Sequence, residues 1–159
     1  MSPPLSAPTL WLELQQVPPP WLAALHTHNA HLWALEDRVR DRALPSAEVA
    51  EIKREIDRTN LARHGAVAQI DAALDARFAP RATLATPGVV LNSESAGQML
   101  DRLSILALKR AAWAQDPARV AGIEARAALL VRCLDRTFAA LAEGQALPQT
   151  FDEAKTYGA

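Results

Sequence analysis

Carboxylate, amide and guanidinium side chains interrupt three otherwise apolar stretches of the sequence, and these are the residues that could do chemistry. The carboxylates that could act in catalysis are Glu36, Asp57 and Asp101. The side chains that could bind a ligand are Asn29, Trp33, Asn60, Arg63, Glu94, Arg102 and Lys109. A pocket that mixes carboxylates, amides and fixed cations suits a polar, anionic metabolite.

Four of these groups have a defined role in this hypothesis. Arg63 and Arg102 could clamp an anion, because a guanidinium donates two parallel hydrogen bonds to a carboxylate or phosphate. Glu36 or Asp101 could act as a general base if burial raised its pKa toward neutrality.

Magnesium is a cofactor that the residues allow, although nothing in the sequence requires one. This ion prefers oxygen ligands, and Glu36, Asp57 and Glu94 could supply them. An alternative function is therefore a metal-dependent nucleotide pyrophosphohydrolase, which also places acidic residues on bundle helices. Arg102 in the same stretch argues against it, since that class needs clustered carboxylates without a buried arginine.

A purely structural interpretation of the charges also stays open. Asp101 could pair with Lys109 or Arg102, and Asp57 with Arg63, as a buried ion network that fixes the register of the helices. The residues alone do not separate catalysis, binding and structural pairing.

Four predicted helices position these side chains. The first runs from about residue 21 to 43, the second from about 46 to 78, and the central one from about 96 to 113. The last opens at Asp116 and Pro117 and ends at Gly144. For the central helix, Ser95 and Gln98 have the spacing of a capping box.

The apolar stripes of the first three helices are interrupted near mid-height, whereas the stripe of the last is continuous. Mid-helix positions lie at similar heights in an antiparallel bundle, so we expect the polar groups to meet in one interior pocket. The last helix would then be scaffold. Its arginines would form a solvated face; they are Arg119, Arg126, Arg132 and Arg136.

These observations predict an all-α bundle of four main antiparallel helices. A proline-rich arm, residues 1–20, precedes the bundle of residues 21–144, and residues 145–159 form a tail. The arm holds one apolar patch, Leu10–Leu14, which could dock through Trp11.

Composition narrows the function classes. A net charge of −1 over 159 residues gives no electrostatic basis for nucleic-acid binding. No apolar run approaches the roughly 20 residues of a membrane span. The N-terminus lacks the pattern of a signal peptide, and a single cysteine fits a reducing compartment, so we expect a cytoplasmic protein. Small apolar faces are compatible with a homodimer.

Three strings in this order resemble an all-helical bacterial family, domain-of-unknown-function family 4254. They are NAHLWALEDRVR from Asn29, the stretch from Lys53 to Asp71, and NSESAGQMLDRLSILALK from Asn92 to Lys109. The resemblance spans most of residues 29–109. It implies an all-helical fold and a setting near cell-envelope glycosyltransferases, without an established activity.

The sequence departs from the family pattern at two places. His64 and Gly65 stand where the pattern has Asn-Asp, and Ser95-Ala96 stands where it has Thr-Pro. If the lost Asp is essential to activity, this chain would bind its ligand without turnover.

Three function hypotheses follow. The first is an enzyme or binding protein for a polar, anionic metabolite, such as a sugar phosphate or nucleotide sugar in glycoconjugate synthesis. The second is the pyrophosphohydrolase described above. The third is a non-enzymatic partner of a glycosyltransferase, and it predicts an exposed apolar patch at Leu10–Leu14.

Overall fold

A computed structural model describes residues 5–150, and this part of the chain is all-helical, as predicted. It contains five helices: α1 (Ala7–Leu14), α2 (Pro20–Val39), α3 (Ser46–Arg77), α4 (Ala96–Ala112) and α5 (Pro117–Ala142). Among the described residues, the only paired extended backbone is an isolated parallel bridge between Val90 and Ala146. No described helix is long and apolar enough to span a membrane.

Helix α4 lies at the centre of the fold, because it packs against each of the other four helices. Leu100 and Leu103 on α4 are completely buried. Helices α2 and α3 pack together on one side, and α1 and α5 pack together on the other. The absence of a wide polar stripe on α4 is therefore explained by contacts on several faces.

The predicted signals at helix ends are present in the structure. Ser95 and Gln98 form the capping box of α4. The Asp116 carboxylate accepts a hydrogen bond from the Arg119 N–H at 3.1 Å at the start of α5. Beyond the end of α5, Gly144 has a φ of 68°, a left-handed conformation that favours glycine.

Helix α2 ends earlier than residue 43, where the sequence predicted its end. The reason is a local turn at Asp41, whose carboxylate accepts a hydrogen bond from the Ala43 N–H at 2.9 Å. An aspartate that bonds to nearby backbone in this way competes with the helix.

The N-terminal arm contributes a helix to the fold. Leu10 and Leu14 of α1 are buried, and the Trp11 indole donates a hydrogen bond to Glu124 at 3.2 Å. Helix α1 packs on α5 and α4. The expected docking through Trp11 is thus observed, whereas the exposed patch that the partner hypothesis required is largely absent, with only Leu12 well exposed.

The predicted tail begins later than residue 145. Residues 145–150 are packed on the connection between α3 and α4, with Ala146 and Gln149 buried. The Gln149 side chain accepts a hydrogen bond from the Ala96 N–H at 2.9 Å, at the start of α4. The remainder of the predicted tail, residues 151–159, lies outside the described residues.

Asp71 of α3 holds the first turn of α4. Its carboxylate is buried and accepts a hydrogen bond from the Gly97 N–H at 2.7 Å. A helix N-terminus leaves N–H groups without intrahelical partners, and an acidic group there is electrostatically favourable. A Cβ atom on Gly97 would lie 2.7 Å from Asp71 Oδ1, so the contact requires a glycine.

We expect Gly97→Ala to lower the free energy of unfolding by about 1–3 kcal/mol, because the new methyl group displaces the Asp71 carboxylate from its hydrogen bond. Gly65→Ala on α3 is the matched control, since a Cβ there has no neighbour within 4 Å. The control should raise the free energy of unfolding by roughly 0.5–1 kcal/mol. Urea unfolding of both variants measures this, and equal effects would contradict the tight contact.

Asp71 and Asp75 should give opposite pH dependences of stability. Burial raises the pKa of Asp71. Hydrogen bonds from Ser95 and Gly97 act to lower this pKa, but the effect of burial is larger. Burial also acts to raise the pKa of Asp75, but hydrogen bonds from Gln149 and Thr150 and the charge of Arg81 outweigh it, so that pKa is lowered.

The sign of each effect follows from proton linkage. Protonated Asp71 contributes to the stability of the folded state. This contribution is fully present below pH 3.8, the pKa of Asp71 in the unfolded chain, and is lost as the pH rises through the higher pKa of the folded state. Asp71→Asn should therefore become more stable relative to wild type as pH rises from about 4 to 7. The Asp75 contribution is present above 3.8 and is lost as pH falls, so Asp75→Asn should be most destabilising at neutral pH. Parallel profiles from urea titrations would disprove this assignment.

Candidate functional site

Polar groups from α2 and α4 meet in a buried network at the mid-height of the fold. The Asn29 amide nitrogen donates to Asp101 Oδ1 at 2.9 Å and to Ser104 Oγ at 3.1 Å. Ser104 Oγ lies 2.9 Å from His26 Nδ1 and shares a hydrogen bond with it. Asn29 and Ser104 are buried, and partial burial lowers the pKa of His26. The network thus joins two helices through groups that satisfy one another.

Arg63 of α3 also contacts this network. Its Nη1 atom lies 3.9 Å from Asp101 Oδ2, and its Nη2 atom lies 3.1 Å from His64 Nε2. The Nε atom of Arg63 is buried and has no hydrogen-bond partner in the described structure. A buried donor without an acceptor is costly, so this guanidinium retains unused capacity to bind an acceptor group.

A small cavity, the Trp33 pocket, opens beside this network. Its volume is about 200 Å³. The residues that line it are Asn29, Leu32, Trp33, Glu36, Asp37, Arg40, Arg63, Ile105 and Leu108. Apolar groups from α2 and α4 therefore form part of the wall, and the remaining lining residues carry amide, carboxylate and guanidinium groups.

The Trp33 pocket brings together four of the predicted site residues, which are Asn29, Trp33, Glu36 and Arg63. Asp101 contacts two of them, through hydrogen bonding to Asn29 and its proximity to Arg63. The polar residues that interrupt the apolar stripes of α2, α3 and α4 therefore do lie close together. Glu36 is exposed, whereas the general-base hypothesis required a buried carboxylate.

Asp57 and Asn60 are not among the residues that line the Trp33 pocket. Asp57 is exposed on α3, and Asn60 is half-buried. Asp57 does not pair with Arg63, because the guanidinium is directed to Asp101 and His64 instead. That part of the predicted ion network is therefore not formed.

The other predicted residues lie in a separate concavity, the α4–α5 groove, with a volume of about 600 Å³. Glu94, Arg102 and Lys109 line it. Asp101 and Arg102 are neighbours in the chain, and successive residues of a helix point about 100° apart. The Asp101 and Arg102 side chains consequently lie on different sides of α4. The residues predicted to form one pocket are therefore distributed between two concavities.

The ion pairs of α4 also differ from those predicted. Arg102 pairs with Glu94 at 2.6 Å rather than with Asp101. Lys109 forms no ion pair with Asp101, whose charged partner is Arg63. Among residues 5–150, no three His, Cys, Asp or Glu side chains lie close enough to hold a metal ion. The magnesium ligand set of Glu36, Asp57 and Glu94 is therefore not assembled.

Three residues have surroundings that the sequence did not predict. Ser104 and His26 complete the buried network, and Arg126 of α5 lines the α4–α5 groove. Ser104 follows Asp101 by three residues, a spacing that places both on one helix face and could have identified it. Arg126 was assigned to a solvated face because it was placed on the side of the last helix opposite the apolar stripe. Helix α5 is thus more than scaffold, since it forms one wall of the groove.

Comparison with known proteins identifies a family but no activity. The family model described as Protein of unknown function (DUF4254) matches residues 20–139. This range includes α2, α3 and α4 completely, and all ten predicted site residues. No curated protein and no solved structure matches the chain. Because the family model covers well over half of the sequence, the chain belongs to the family of Protein of unknown function (DUF4254).

Proposed function

We propose that the Trp33 pocket binds a small polar metabolite that carries an anionic group. The observation behind this proposal is the buried Nε donor of Arg63, which has no acceptor in the described structure. A carboxylate or phosphate in the pocket would give the guanidinium hydrogen bonds that Asp101, at 3.9 Å, does not supply.

The remaining lining residues support recognition of a ligand with both polar and apolar surfaces. Arg40 adds a second cation, although it is shared with Asp37 at 3.1 Å. The exposed Glu36 carboxylate could accept hydrogen bonds from ligand hydroxyl groups. Trp33 offers an aromatic surface for the apolar side of a ring. Asn29 is held in place by its bonds to Asp101 and Ser104, so the base of the pocket is preorganised.

Pocket size discriminates between the candidate ligands. A volume of about 200 Å³ lies below the roughly 300–1,000 Å³ of pockets that hold drug-sized ligands. A sugar phosphate is therefore a better candidate than a complete nucleotide sugar. A role in glycoconjugate synthesis, a cytoplasmic location, a homodimer and a glycosyltransferase partner remain predictions.

Binding without catalysis is the version of this function that the geometry supports better. The general-base candidates are Glu36, which is exposed, and Asp101, which is already bonded to Asn29 and faces Arg63. The resemblance described above implies an Asp at the position of Gly65, so this chain lacks the carboxylate that the resemblance leads us to expect there.

We expect hexose phosphates to raise the melting temperature of the wild-type protein, since a ligand that binds only the folded state stabilises it. Arg63→Gln should weaken the affinity roughly tenfold or more, because a hydrogen bond to a charged group contributes about 1.5–3 kcal/mol. Isothermal titration with hexose phosphates, nucleotide sugars and magnesium chloride measures these affinities.

Arg54→Gln is the matched control, since Arg54 is exposed on the same helix and pairs with Glu51 there. It should bind as wild type does. Hexose phosphates that bind wild type and Arg63→Gln equally would refute the role of Arg63. Stabilisation by magnesium alone would instead revive the pyrophosphohydrolase hypothesis.

A further inference from the structure

The α4–α5 groove is longer than one cavity. A second concavity of about 400 Å³ continues from it and is lined by Trp113 and Arg119, among others. The two concavities share Leu106, Lys109 and Arg126 and therefore form one continuous channel along the surface. Helix α4 alone is about 25 Å long, at 1.5 Å per residue.

Cations occur at three levels along this groove. Arg102 lies in the first concavity, Lys109 and Arg126 line both, and Arg119 lies in the second. Arg102 and Lys109 are one heptad apart on α4, and Arg119 and Arg126 are one heptad apart on α5. Each heptad advances a helix by about 10 Å, so the levels are separated by roughly that distance.

The cations at the middle level are available for a partner. Arg102 is paired with Glu94, and Arg119 is paired with Asp116 at 3.2 Å and stacks on the Trp113 ring. Among the described residues, neither Lys109 nor Arg126 has a hydrogen bond or an ion pair. The groove therefore has an excess of positive charge although the whole chain carries a net charge of −1.

The floor of the groove between these cations is apolar. It is formed by Met99, Ile105, Leu106, Ile123, Leu129 and Leu130. Leu129 is 64% exposed, so part of this apolar lining faces solvent. An apolar floor with a charged rim is typical of a protein-interaction surface.

We propose that the α4–α5 groove binds an acidic amphipathic helix of a partner protein. A helix that lies along the groove presents residues one heptad apart at the same spacing of about 10 Å as the cations. Its acidic residues would meet the available cations Lys109 and Arg126 at the middle level, and its apolar face would cover the floor, as in other helix-in-groove complexes. A compact anion such as pyrophosphate would meet the middle-level cations but leave the apolar floor uncovered, which is why the helix is favoured.

Cys133 provides a direct measurement of occupancy. It is the single cysteine of the chain, it is exposed, and it lines the groove. The probe is a designed helical peptide with glutamates one heptad apart and leucines on the same face. We expect this peptide to slow the reaction of Cys133 with the thiol reagent DTNB in a saturable and salt-sensitive manner.

Charge-reversal variants test whether the peptide binds in the groove or elsewhere on the surface. The double variant Lys109→Glu with Arg126→Glu should weaken binding of the acidic peptide roughly tenfold or more, as for close charge pairs at interfaces. It should gain binding of the same peptide with lysines in place of glutamates, which also shows that the variant is folded. Arg132→Glu on α5 is the matched control, because Arg132 does not line the groove.

Four results would overturn the proposal. They are the absence of protection by the acidic peptide, an equal loss of binding in Arg132→Glu, equal protection by pyrophosphate, and protection of Cys133 by concentration-dependent self-association. The third would indicate a small anion and the fourth a second copy of this chain as the occupant. The assay is independent of hexose phosphate binding at the Trp33 pocket, so either proposal can fail alone.

Discussion

The position of α4 depends on a carboxylate that is buried beneath its first turn. Asp71 accepts the Gly97 N–H at 2.7 Å, and the capping box of Ser95 and Gln98 satisfies neighbouring groups. Helix α4 contributes residues to both the Trp33 pocket and the α4–α5 groove. A shift of this helix would therefore displace side chains in both. Burial of Asp71 has an electrostatic cost, which hydrogen bonds from Gly97 and Ser95 offset in part.

The periodicity of α4 explains how one helix serves two surfaces of different character. Asp101 and Ser104 point toward α2 and α3, where Asn29 and Arg63 complete a network with few unsatisfied groups. Arg102 and Lys109 point into the groove beside α5, where the cations are in excess. Adjacent charges of opposite sign in the sequence are thereby separated in space rather than paired.

The features that the sequence predicted are those governed by local chemistry. The capping box at Ser95, the start of α5 at Asp116 and the left-handed Gly144 depend on a few neighbouring residues, and each is present. The convergence of Asn29, Asp101 and Arg63 was also predictable, because breaks in apolar stripes report which face is buried.

Features that depend on long-range packing were not predictable from residue patterns. Glu94 and Lys109 lie in a different concavity from Glu36. This separation depends on where α5 packs around α4, which the spacing of residues within one helix does not determine. The packing of residues 145–150 depends on Asp75, whose carboxylate accepts the Gln149 and Thr150 N–H groups from far along the chain. Arg126 was assigned to a solvated face because an exposed arginine on an amphipathic helix has the same pattern whether or not a groove lies beside it.

Within residues 5–150, Ile105 lines both the Trp33 pocket and the first part of the α4–α5 groove. Its side chain contributes to the wall of each cavity. A substitution at Ile105 is therefore expected to reshape both cavities together.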